Sequence, residues 1–241
     1  MLVLMKKPFL FLFLFLLFQN SFSQSIDSAL LKNVLTQLEI EEVNCFIPLV
    51  SSLEIPNDEI IVVIPEIVES GEGYMALNSH ILIVNNANGV IKSSFYKQKA
   101  WYSDALKINK LKVSYQPFKL NPNSETIGIT LHYTGSSRLN PVEIEELSLY
   151  VRNGKKIQLI LENYAIQSQH GETDGRSSGE FQEHKKRIEP SSVITNRFVD
   201  LVVKDSISNY QVINGERKNI VKRLETEVLN YEKGEYKKAH N

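Results

Sequence analysis

Ile144-Glu-Glu-Leu-Ser-Leu-Tyr-Val-Arg-Asn-Gly-Lys-Lys-Ile-Gln-Leu-Ile-Leu-Glu-Asn-Tyr-Ala-Ile166 carries the strongest structural signal in this chain. Two runs rich in Leu, Ile, Val and Tyr flank Asn153-Gly154. An Asn-Gly pair between such runs is a short-range hairpin signal, because both residues accept positive φ. The stretch therefore predicts a hairpin over 145–166 and sets the class as β.

Period-two patterning continues on both sides. Upstream, Glu59 to Ile64 is a β-branched run that reads as a buried strand stopping at Pro65. Met75 to Val84 reads as the next strand, Asn85-Asn-Ala-Asn-Gly89 as a tight turn, and Val90 to Tyr96 as the return. Leu106 to Tyr115 and Thr126 to Tyr133 complete the approach. Downstream, Phe181 to Ile188 and Arg197 to Val203 read as strands separated by a turn at Pro190-Ser-Ser192. The tail from 215 to 241 fits either strands turning at Gly234 or a helix, and strands are the reading adopted. Many short strands with frequent turns predict a mainly β fold, an antiparallel sandwich or a barrel-like meander.

The exceptions lie at the N-terminus. Ile26, Leu30, Leu31, Val34, Leu35 and Leu38 recur at helical spacing, with Ser25 or Asp27 placed to cap, so residues 24–42 predict an amphipathic helix lying on the sheet. Before it, Lys6-Lys7, the apolar run Pro8 to Phe18 and Ser21-Phe22-Ser23 have the three parts of a secretory leader. The run is shorter than the ~20 residues a spanning helix needs. Cleavage after Ser23 is expected, leaving 24–241 as a single domain with its β core over 43–214, in the periplasm or outside the cell and with no stable membrane span.

With Lys6 and Lys7 gone and no acid in the leader, the formal charge moves from −1 to −3. That balance gives no electrostatic reason to expect nucleic acid as a partner. Cys45 is the only cysteine, so no internal disulfide is possible. Flanked by Val43 and by Phe46-Ile47, it reads as a buried free thiol.

Chemistry has one dense candidate. His170-Gly-Glu-Thr-Asp-Gly-Arg-Ser-Ser-Gly-Glu180 holds three carboxylates, a histidine and an arginine between two strands. No nucleophile elbow, phosphate loop, His-Glu-x-x-His or paired-cysteine motif accompanies it. Glu172, Asp174 and Glu180 are oxygen ligands around a glycine bend, as calcium requires. Alternatively His170 or His184 pairs with Glu172 or Asp174 for acid/base work. The third reading is a turn solvated by its own charges. A second candidate is Trp101-Tyr102 beside Asp104, a stacking platform for a glycan or a peptide, set against a core tryptophan at a sheet corner.

Trp101-x-Ser-Asp-Ala105, the Asn-Gly hairpin and Gly171-Glu-x-Asp-Gly175 together resemble a group of uncharacterised secreted bacterial proteins, over roughly residues 80–190. The resemblance supports the compartment and implies no activity. The reading reached is a non-catalytic binding or structural module of the cell envelope, with an envelope protein or a glycan as partner. Its competitor is a hydrolase-type or metal-assisted enzyme working at 170–180.

Overall fold

The computed structural model describes residues 26–239, so the expected leader and its cleavage point lie outside the described residues. Helix α1 (Ser28–Leu38) is followed by two single 3-10 turns and twelve strands. These are β1 (Ser51–Ile55), β2 (Glu59–Gly71), β3 (Tyr74–Asn85), β4 (Ile91–Ser103), β5 (Leu106–Tyr115) and β6 (Glu125–Gly135), then β7 (Val142–Asn153), β8 (Lys156–Thr173), β9 (Gly179–Thr195), β10 (Phe198–Ile213), β11 (Glu216–Glu232) and β12 (Glu235–Lys238).

Every antiparallel ladder joins strands consecutive in the chain, from β1–β2 to β11–β12; only β4 and β5 are not paired. Among the described residues the one parallel contact is a bridge from β4 to β8 at Ser94 and Lys156. The mainly β expectation holds. Between its two forms, the sheet is open rather than closed into a barrel and folds over on itself as a sandwich.

Side-chain alternation assigns the layers. On β2, Ile60, Val62 and Ile64 face one way, with Leu82 and Val84 of β3, against Leu30, Val34 and Leu35 of α1. Ile61 and Val63 face the other way, with Leu77, Ile81 and Ile83, against Ile108, Leu111 and Val113 of β5 and Ile127, Ile129 and Leu131 of β6. The unbroken apolar run thus reflects burial on both faces. A third core lies behind β7 and β8, where Leu149, Val151 and Ile160 meet Leu201 and Val203 of β10, Leu229 of β11 and Tyr236 of β12.

The helix begins where Asp27 accepts from the amides of Ala29 and Leu30 at 2.9 and 3.0 Å, the cap that four orphan N–H groups call for. Its far end is tied to the β3–β4 turn: the Gln37 amide donates to the Gly89 carbonyl at 2.8 Å and accepts from the Ile91 amide at 3.2 Å. The tail forms strands, with its turn at Lys233-Gly234.

Three expectations are corrected. The central hairpin forms, but its loop is Gly154-Lys155, with Gly154 at φ +60° in the first central position and Asn153 already paired with Lys156; glycine there suits a type II′ turn. β2 does not stop at Pro65. Beyond Val63 it has no β1 neighbour and meets only a single bridge from Cys45 to Glu66, where Pro65 accepts from the Phe46 amide at 2.8 Å, so its missing N–H costs no strand ladder. β9 likewise passes through Pro190, which pairs with Leu201 after β8 has ended its pairing at Lys185.

Candidate functional site

The two glutamates that begin and end the candidate loop belong to strands. β8 extends to Thr173 and β9 starts at Gly179, so Glu172 and Glu180 stand directly opposite each other, and His170 opposite Gln182. The turn itself is built by Asp174. Its Oδ1 accepts from the amides of Arg176, Ser177 and Ser178 at 2.8, 3.1 and 3.1 Å, and these donors hold its carboxyl below the usual aspartate value. Gly171 has a separate reason: a Cβ there would come within 2.4 Å of the Phe181 ring.

Around His170, Glu172 and Glu180 the sheet forms a cleft of about 680 Å³. β10 and β11 bring Asn209, Gln211 and Asn219 to it, and Gln182 joins from β9. These amides bind one another: Gln182 Nε2 donates to Asn209 Oδ1 at 3.0 Å, Gln211 Nε2 to Glu180 Oε1 at 2.8 Å, and Asn219 Nδ2 to Gln211 Oε1 at 2.6 Å. Val142 and Val221 also line the cleft, and among the described residues its lining contains no lysine or arginine.

The structure therefore gathers His170, Glu172 and Glu180 but leaves Asp174 out, with one carboxylate oxygen engaged by the turn. Among the described residues no three His, Cys, Asp or Glu side chains are placed to share a metal ion. His184 takes its carboxylate from neither Glu172 nor Asp174. Its Nδ1 lies 2.8 Å from Asp205 Oδ2 across the β9–β10 ladder.

The expected platform at Trp101, Tyr102 and Asp104 is not formed. Trp101 is 3% exposed and packs in the core between the β2–β3 face and β5–β6, so its ring presents no face to a ligand. Tyr102 is exposed, while Asp104 accepts from the Leu106 amide at 3.0 Å to shape the β4–β5 turn.

Four of the five amide side chains that line the cleft had no local signal. Gln182, Asn209, Gln211 and Asn219 are scattered over three strands, and only the β9–β10–β11 register brings them into one row. Comparison with known proteins yields no matching family, no matching curated protein and no matching solved structure. No helix among the described residues is long and apolar enough to cross a membrane.

Proposed function

We propose that this chain is a non-catalytic binding module of a bacterial cell envelope, periplasmic or secreted, and that the cleft across β8 to β11 takes a hydroxylated ligand such as a glycan. The observation that carries the reading is a row of amides in two bonded pairs, Gln182 with Asn209 and Asn219 with Gln211, the second pair ending on Glu180. Amide side chains both donate and accept, and those in this row keep unused capacity for both, as vicinal hydroxyls require. Holding each other in place, they lose little freedom when a ligand arrives. The compartment is supported by the leader-like start of the sequence, Lys6-Lys7 followed by a short apolar run.

Isothermal titration against a panel of envelope glycan fragments tests this. One fragment should bind, and Asn209→Ala and Gln211→Ala should each weaken it by about tenfold, the equivalent of one or two net hydrogen bonds at about 1 kcal/mol each. Both variants should melt with the parent protein. No binding across the panel, or binding untouched by both variants, removes the proposal. Turnover of a bound glycan that is lost in Glu180→Gln would instead favour acid/base hydrolysis by His170, Glu172 and Glu180.

A further inference from the structure

β11 has a long free edge. Among the described residues, β12 covers only Leu229 to Glu232 of it, and every residue from Glu216 to Thr226 is exposed. Leu224, at 71%, is among the most exposed large apolar side chains described. An uncovered edge with apolar side chains is a template for another strand.

The direction of its backbone groups can be read from one bond. The Ala239 amide donates to the Val228 carbonyl at 2.8 Å, so Val228 turns its polar groups outward. β11 pairs with β10 without irregularity from Leu229 back to Val221. With a period of two, Thr226, Leu224 and Lys222 also direct N–H and C=O to the open side.

We infer that this edge pairs antiparallel with the same edge of a second copy of the chain, with the two-fold axis at Leu224. Only outward-facing groups can meet outward-facing groups, so the axis must pass through a residue and not between two. An axis at Lys222, Arg223 or Glu225 sets a charge against its own copy, which is unfavourable for directly opposed residues. At Val221 the ladder would run into the bulge around Asn219 and Ile220, where the β10 register shifts. At Thr226 it would need the Val228 carbonyl that Ala239 already holds.

At Leu224 the sequence agrees with itself. Leu224 meets Leu224, Lys222 faces Thr226, and Arg223 faces Glu225 on both sides of the axis. Arg223 and Glu225, each 59% exposed along the side chain, pair with each other at 3.3 Å within the strand, and across the axis the same two charges can exchange that exposed pair for two between the copies. The basic residues that disfavour pairing in other registers thereby select this one. The edge adjoins the cleft at Val221, but the inference does not rest on what the cleft binds.

Sedimentation equilibrium on the protein tests the inference. A monomer–dimer equilibrium is expected; Arg223→Glu should raise its dissociation constant by more than tenfold, and Arg223→Glu combined with Glu225→Arg should restore it. Leu224→Cys should form a disulfide-linked dimer on mild oxidation, since directly opposed hydrogen-bonded residues lie about 5.5 Å apart at Cα, within disulfide reach. The native thiol does not compete, because Cys45 is buried. A protein that stays monomeric up to about 1 mM overturns the inference, that being the weakest association worth the name. So does a dimer indifferent to Arg223→Glu, or one that the charge exchange fails to restore.

Discussion

The guanidinium of Arg152, the residue just before the central hairpin turn, reaches from β7 to β2. It donates to Glu59 at 2.5 and 3.1 Å, to Glu125 at 3.1 Å and to the Ser93 hydroxyl at 3.0 Å. The Glu59 side chain is 7% exposed, and removing Arg152 leaves that buried charge with Lys92 alone, 3.0 Å away and 36% exposed. Arg152→Ala should cost about 3 kcal/mol in urea unfolding, and replacing both residues by apolar ones of similar size should recover most of it. The same contact holds the Glu59 carboxyl below its ordinary value, chiefly through the Arg152 hydrogen bond. A depressed carboxyl stabilises the fold fully above its unfolded value of about 4.3 and loses that contribution as pH falls through the lower folded value. Melting temperature against pH should show this acid limb, and Glu59→Gln should flatten it. Cys45 behaves oppositely: burial, with Glu42 nearby, pushes its thiol up to about 11. Ellman's reagent should modify it only after unfolding. At Asp174, the amide oxygen of Asn can accept the same three backbone N–H groups but lacks the charge they favour, so Asp174→Asn should lower the melting temperature slightly, equally with and without millimolar calcium; a calcium-dependent rise in the parent that this variant abolishes would show that the loop binds the ion.

At the scale of elements, the helix is held by two different devices. Val34 is fully buried against β2 and β3, and Gln37 splices the C-terminal turn to the β3–β4 loop. Gln37→Ala should cost about 1 kcal/mol and raise amide exchange locally at Ile91, whereas Val34→Ala should lower global stability by about 1 to 2 kcal/mol through the cavity it leaves. Helix and strand identities were readable because periodicity records which faces are buried, as Leu106 to Tyr115 and Leu30 to Leu38 illustrate. Strand ends were less readable. Pro65 and Pro190 each suggested a break, yet β2 and β9 continue through them. The two prolines fall where a neighbouring strand is missing, and whether a neighbour exists is decided by distant parts of the chain. The same holds for the hairpin at Asn153-Gly154, where the turn type, and not the turn, depended on how the flanking strands register.

At the scale of the molecule, three cores stack between α1, β1–β4, β5–β8 and β10–β12, and the far ends of β8 to β11 extend beyond them. That extension explains why the candidate site was only partly legible. His170, Glu172 and Glu180 share a short segment and were visible together; the amides that join them arrive from strands up to some fifty residues away, and no local pattern announces a register. The consecutive pairing of strands has a mechanical consequence. A pull on the C-terminus loads β12 against β11, then β11 against β10, one neighbour at a time. Such a ribbon should peel stepwise at low force in an optical trap, with β10 to β12 leaving before the layers around Ile61 and Val63, while the same pull on a dimer joined at Leu224 should meet its first resistance at the β11 seam.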